Sequence, residues 1–393
     1  MKSHYQISKT RFKIMVSAIA LLFSFGASVF SMAHAQDAQT PISNAYYKVT
    51  TLTLSDGNTI EKATINGPPQ PPSGFEIERQ TVMLPESDSA AGIHVLTVPT
   101  YKWVLGCSAT SGAMIAGYYD RSGWSNIYTG PTNGGMMPLN DSSWPTWSDG
   151  SDTFPSCPLL ASKNGVDGRA RRGTIDDYWV RYNSSARDPY LINGWVEHSW
   201  GDAIGDYMYT SQSAHGNVDG ATAFYYWGNV SRPLHCSDME NDDLPDGTLG
   251  RKHFYEARGY TVTDCYNQMT DSAVAGGFSF DQFMAEIDAG RPVMLNLTGH
   301  SVVGVGYDDS SNLVYIHDTW DYNTHTMTWG GSYSGMSLES VSIVNIQASA
   351  TGCVYDDDQD GDVDGLDLQQ FSQNLSVDAL SGFLLEFGSV DCN

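Results

Sequence analysis

Three residues far apart in the chain, and a dense register of aspartates near its end, have chemistry to offer. Cys107 follows Gly106 and opens a helix-compatible run of small residues that reaches Asp120. At a helix N-terminus, free N–H groups and the macrodipole favour a thiolate, lowering a thiol pKa from ~8.5 by one to several units. His300 opens an apolar run after Gly299, and Asp318 follows a second run that starts at Leu313. A histidine beside such a thiol takes its proton, and a carboxylate fixes the tautomer and orientation of the ring. Cys107, His300 and Asp318 are therefore the expected nucleophile, base and orienting acid of a thiol hydrolase. His317 competes for the base role, but it neighbours Asp318 on an alternating strand and should face the other way.

The aspartates fit a different template. Asp356, Asp358 and Asp360 fall at positions 1, 3 and 5 of a calcium loop, and Gly361 makes the turn at 6. Asp362 offers its carbonyl at 7, Asp364 stands at 9, and Asp367 closes the loop at 12. Calcium takes roughly 6–8 hard oxygens, and an Asp-rich loop supplies them. An acidic solvated tail explains the charge but not this register, nor the apolar Val363 at position 8.

The elements that must position the first set are readable. Ser279 and Gln282 make a capping box ahead of Phe280, Phe283, Met284 and Ile287, a helical spacing that Gly290 ends. Residues 292–298 read as a buried strand, residues 300–307 as the next, and residues 313–317 as a third that delivers Asp318. Upstream, residues 47–65 read as a hairpin, and residues 67–74 as a stiff, proline-rich spacer.

The run from Gly106 to Asp120, the segment from Gly290 to Asp308, and Ile316-His-Asp-Thr-Trp320 together resemble the papain-like cysteine peptidases. Within these, they are similar to the bacteriocin-processing, double-glycine-leader peptidases. The resemblance implies an α+β fold, with a helical half carrying Cys107 and a barrel-like antiparallel half carrying His300 and Asp318. It implies peptide or protein substrates and no cofactor for catalysis. Cys107 and His300 are 193 residues apart, against roughly 130–150 in papain-type enzymes. A large loop-rich insertion, residues about 125–265, accounts for the excess. Papain-like enzymes place an oxyanion-stabilising Gln shortly before the nucleophile, where this chain has Tyr101, Lys102 and Trp103. The Cys107 N–H supplies one donor, and the Trp103 indole N–H is the candidate for the second.

The tail resembles a dockerin repeat: Asp at position 12 is followed by Leu368. Leu368, Phe371 and Leu375 give one helix an apolar face, and Leu380, Phe383, Leu384 and Phe387 give a second. Dockerins carry two calcium loops and this chain has one, so a calcium-stabilised helix-loop-helix tag is expected, with a cohesin-type or cell-surface partner as the dockerin-like extension. Cys353 and Cys392 bracket the tail and are the expected disulfide. Cys236 with Cys265 is a plausible second pair, leaving Cys157 over.

The 393 residues carry 20 Lys+Arg and 45 Asp+Glu, a net charge of −25. That charge argues against a nucleic-acid partner, which needs a basic face, and against anionic membranes. Lys2, Lys9, Arg11 and Lys13, the apolar residues 14–30 and Ala33-His-Ala35 read as a secretory signal. The expected organisation is a signal peptide at 1–35, an extension or pro-region at 36–92, a peptidase domain at 93–350 and a calcium module at 351–393. The expected location is secreted or periplasmic, with no membrane attachment after cleavage. Two other readings stand beside the peptidase. One is a weak or inactive peptidase-like binding or surface protein. The other is a dockerin-tagged component of a polysaccharide-degrading system, using Trp144, Trp147, Trp179, Trp195, Trp200 and Trp227 against glycan. The acidic residues 238–246 read as a turn-rich loop.

Overall fold

The computed structural model describes residues 44–83, 92–160 and 203–347 with short interruptions, and scattered residues between 355 and 388. The chain divides into Met1–Pro41 and Ile42–Asn393, and the expected signal peptide lies outside the described residues. No described helix is long and apolar enough to cross a membrane.

The order of strands is β1 (Tyr47–Thr53), β2 (Thr59–Ile65), β3 (Ile93–Val95), β4 (Thr146–Ser148), β5 (Thr153–Pro155), β6 (Thr222–Tyr226) and β7 (Leu234–His235). They continue as β8 (Thr261–Met269), β9 (Val293–Leu297), β10 (His300–Asp308), β11 (Leu313–His317), β12 (His325–Thr328), β13 (Ser332–Tyr333) and β14 (Met336–Gln347). The helices are α1 (Cys107–Arg121), α2 (Ile204–Tyr207), α3 (Cys236–Asn241), α4 (Gly247–Glu256), α5 (Phe280–Asp288) and α6 (Gly365–Gln373). The fold is α+β.

The main sheet is antiparallel, in the order β12-β11-β10-β9-β14-β8-β7, with β3 and β13 added at β10 and β14. Its central strands β9 and β10 are buried along nearly their whole length, as apolar runs without alternation require. Helix α1 packs on them through small residues. Gly112 faces Met208 and Met294, and a Cβ at Gly117 would strike the Tyr101 hydroxyl 2.5 Å away. Helix α5 starts in the Ser279–Gln282 capping box and buries Phe280, Phe283 and Ile287.

A second, three-stranded sheet has the order β1-β2-β6. It ties the N-terminal hairpin to residues 222–226, inside the stretch read as an insertion, by a five-residue register from Glu61↔Tyr226 to Ile65↔Thr222. The hairpin is thus part of the folded body. A disulfide joins Cys236 to Cys265, while Cys107 and Cys157 are free and buried. Cys353 and Cys392 lie outside the described residues.

At the C-terminus, Val363, Phe371 and Phe383 form their own small core with Tyr355 against it. The Phe371 and Phe383 rings stack at 4.4 Å. Phe371 and Phe383, one from each expected apolar face, are buried, while Leu368, Leu380, Leu384 and Phe387 are exposed; Leu375 lies outside the described residues. The core closes on one ring pair, which leaves the flanking positions outside.

Candidate active site

Cys107 is the first residue of α1, reached through Gly106 in extended conformation. The glycine is required because a Cβ there would fall on the Gly220 carbonyl. His300 is the first residue of β10, and Asp318 directly follows β11. The β10–β11 ladder, which pairs Val303 with His317, brings the two ends together. Cys107, His300 and Asp318 are all fully buried.

The Ser301 N–H points at the Cys107 sulfur, 3.4 Å away. Burial pushes the thiol pKa up. The charge and hydrogen bond of His300, joined by the Ser301 and Gly67 N–H groups, outweigh that, and the net shift is downward. Such a shift favours the nucleophilic thiolate.

The orienting contact to His300 differs from the one expected. His300 Nε2 donates to the main-chain carbonyl of Asp318 at 2.7 Å, with the Thr319 hydroxyl at 3.2 Å. A carbonyl only accepts, so Nε2 carries a proton, and Nδ1 is the nitrogen left to exchange one with the thiol. Nδ1 makes no other well-aligned hydrogen bond. The Trp320 ring stacks on the imidazole, with centroids 4.0 Å apart and planes 17° from parallel.

The Asp318 carboxylate turns away from His300. Arg79 donates to its Oδ2 through Nε at 3.0 Å and Nη2 at 2.9 Å. The Tyr333 hydroxyl adds a bond of 2.8 Å, and the Trp320 N–H donates to Oδ1 at 3.0 Å. The expected carboxylate–imidazole pair is therefore replaced by a carbonyl–imidazole pair, because the guanidinium claims the side chain. Arg79 also reaches Asp321 at 3.0 Å. Asp318, Asp321 and His325 are close enough to share a metal ion, but Arg79 already supplies positive charge to both carboxylates. His317 faces elsewhere, against the Pro99 carbonyl and the Thr324 hydroxyl, and burial depresses its pKa to about 4.

Trp103 Nε1 donates to the Gly67 carbonyl at 3.0 Å. The next carbonyl, of Pro68, accepts from Trp320 Nε1 at 2.8 Å. A Cβ on Gly67 would collide with His300 Nδ1 and lie 2.8 Å from the Cys107 sulfur. The proline-rich segment read as a spacer therefore crosses the reactive pair. Thr319 and Trp320 lie in the segment that carries the resemblance, though spacing gives them no role, and Arg79 carries no signal; for Gly67 the signal is the glycine that opens the proline run.

Of the calcium-loop residues, Asp367 is described and fully buried on the first turn of α6. Asp356, Asp358, Asp360, Asp362 and Asp364 lie outside the described residues, as do Trp144, Trp179, Trp195 and Trp200. Trp227 is buried. The acidic stretch 238–246 serves local structure. Asp246 caps α4 through the Thr248 and Leu249 N–H groups, Asp238 completes a capping box, and Glu240 pairs with Lys252.

A family model described as the Peptidase_C39 like family matches residues 196–336. The matched stretch holds His300, Asp318, Trp320 and Tyr333 and ends before Cys107 is reached on its N-terminal side. The match covers about a third of the chain and is consistent with a peptidase-like domain that contains His300 and Asp318. Comparison with curated proteins and with solved structures returned no match.

Proposed function

We propose that the chain is an exported cysteine peptidase in which Cys107 attacks, His300 moves the proton, and Asp318 orients the ring through its peptide carbonyl. The observation that carries this reading is the peptide already lying in the site, with the Gly67 carbonyl on the Trp103 indole beside Cys107 and His300. The lone pair of His300 Nδ1 takes the thiol proton, and the sulfur attacks the substrate carbonyl carbon. As the C–S bond forms, the carbonyl π pair moves to oxygen. The resulting charge meets the Cys107 N–H, which has no intrahelical acceptor, and the Trp103 indole N–H. The imidazolium returns its proton to the leaving nitrogen, and the C–N bond breaks. Water, deprotonated by His300, then cleaves the thioester and restores the thiol.

In a chain cut between Ser73 and Gly74 to free the cleft of Gly67, Cys107→Ala should abolish hydrolysis of a fluorogenic peptide library. In the same cut chain Trp103→Phe should lower kcat by ~10²–10³ as an oxyanion donor is lost. Hydrolysis that survives Cys107→Ala overturns the reading.

The C-terminal module, in the same proposal, holds one calcium ion through Asp356, Asp358, Asp360, Asp362, Asp364 and Asp367. Support comes from the 1-3-5-6-9-12 register and from the burial of Asp367, an acid that a solvated tail would expose. Calcium would supply positive charge to residues 353–393, which hold ten acids and no Lys or Arg. A cohesin-type or cell-surface partner for this module follows from the dockerin resemblance alone. Export rests on the basic-apolar-small pattern of the first 35 residues.

A further inference from the structure

The reactive pair is intact in geometry yet closed to solvent. Cys107 and His300 each have no exposed surface, and the chain's own residues 66–80 form the cover. Two indoles grip successive carbonyls of this segment, Trp103 that of Gly67 and Trp320 that of Pro68. Glycine is the one residue that fits at 67, because a Cβ would collide with His300. The segment then runs through Pro68, Pro69, Pro71 and Pro72, whose fixed φ lowers the entropic cost of holding it in place.

Both ends are fastened. Upstream, β2 is laddered to β6 and ends two residues before Gly67. Downstream, the Glu78 carboxylate accepts the Ser334 N–H at 2.9 Å. Arg79 is held by Asp318 and Asp321 and lies over the Trp320 ring at 5.3 Å. The Val82 N–H donates to the Thr324 carbonyl at 3.0 Å. A segment tethered at both ends competes with free peptide at a high effective concentration. The cleft continues beside the strap, lined by Pro69, Gln70, Lys102, Trp103 and Trp320. A substrate must therefore displace these residues to reach the sulfur.

We propose that residues 66–80 are an intramolecular inhibitor, a strap that occupies the peptide cleft and keeps Cys107 latent until it is released. The strap presents its Gly67 N–H to the sulfur, and the peptide that follows is a Gly–Pro imide. This resting register blocks the site without requiring cleavage. The inference rests on the reading of Cys107 as the reactive thiol, so its test reads accessibility separately from hydrolysis.

Three full-length chains decide it: the wild type, Gly67→Val, and a chain with a site-specific protease sequence inserted between Ser73 and Gly74. Both insertion residues are exposed, and a Cβ at Gly74 meets nothing. The readouts are iodoacetamide alkylation mapped to Cys107 and hydrolysis of a peptide library. Nicking at 73/74 keeps every native contact residue, so it stands even where Gly67→Val folds poorly. Alkylation at Cys107 should be slow in the wild type and at least about tenfold faster in the nicked chain, since the rate scales with the open fraction. Buried Cys157 should label equally slowly in all three. Wild-type Cys107 labelling as fast as in the nicked chain overturns the strap. Faster labelling without hydrolysis supports the strap and removes the peptidase reading. Undiminished thiol-dependent hydrolysis by the wild type overturns the strap and leaves the peptidase reading standing.

Discussion

The carboxylates around Asp318 and the acids of residues 353–393 differ in the positive charge that the sequence places near them. Asp318 is completely buried, and the protein supplies its counter-charge and its hydrogen bonds, through Arg79, Tyr333 and the Trp320 N–H. Residues 353–393 hold ten acids and no Lys or Arg. No internal cation is encoded there. The first region is built from side chains alone, whereas in the proposed calcium module the second takes its positive charge from an ion.

The largest effect should come from removing calcium. Titration of the full chain should show one site, and chelation should abolish the cooperative unfolding transition of the module. At a thousandfold excess over Kd the ion adds about 4 kcal/mol of stability to what it binds. Asp360→Ala should remove the heat of binding without altering the melting of the remainder. A chain that melts identically in millimolar calcium and in chelator would erase the contrast between the two regions.

The next effect sharpens the other side. Arg79→Ala removes the guanidinium from the buried Asp318 carboxylate and leaves it His325 Nε2 at 3.5 Å and the Tyr333 and Trp320 hydrogen bonds, so urea unfolding should show a loss of up to about 3–5 kcal/mol. A loss below ~1 kcal/mol, the value of a surface pair, would mean the guanidinium is incidental. Asp318→Asn keeps the peptide carbonyl that binds His300. Its effect on kcat should therefore fall well short of the ~10⁴-fold seen where a carboxylate orients the base. A full 10⁴-fold loss would return the carboxylate to the orienting role.

Local rules made much of this legible. The Ser279 capping box, the apolar strands 293–297 and 300–308, and the small-residue helix after Gly106 follow from spacing and side-chain volume alone. They place Cys107 and His300 on neighbouring elements. The partner of His300 was not legible, because sequence gives the residue that follows a strand but not whether its carbonyl or its side chain turns inward. Arg79 was equally silent, being one cation 239 residues from the acid it meets. The hairpin was readable as a hairpin. Its pairing with β6 is a long-range contact that no local pattern encodes. The helix faces of the tail were legible in part: Phe371 and Phe383 meet as spacing suggests, but a core this small covers only part of each apolar stripe.

The smallest effect tests a third kind of carboxylate, half-buried and with no guanidinium beside it among the described residues. Glu339 on β14 is raised to about 7 by burial first and by the charge of Glu61 on β2 second. An unfolded glutamate titrates near ~4.3, so the folded state holds this proton over a wider range. Stability linked to Glu339 is therefore fully present below the unfolded pKa and lost as pH rises through the folded one. Burial also raises Asp120, Asp141 and Asp246 to about 6, so the wild-type slope mixes several groups. The informative quantity is the difference between wild type and Glu339→Gln, since Gln cannot ionise. Between pH 5 and 8 the variant should lose less stability than the wild type, by up to about 3 kcal/mol. Parallel melting profiles for the two chains would show that Glu339 is already solvated, and that the hairpin does not press an unpaired acid against β14.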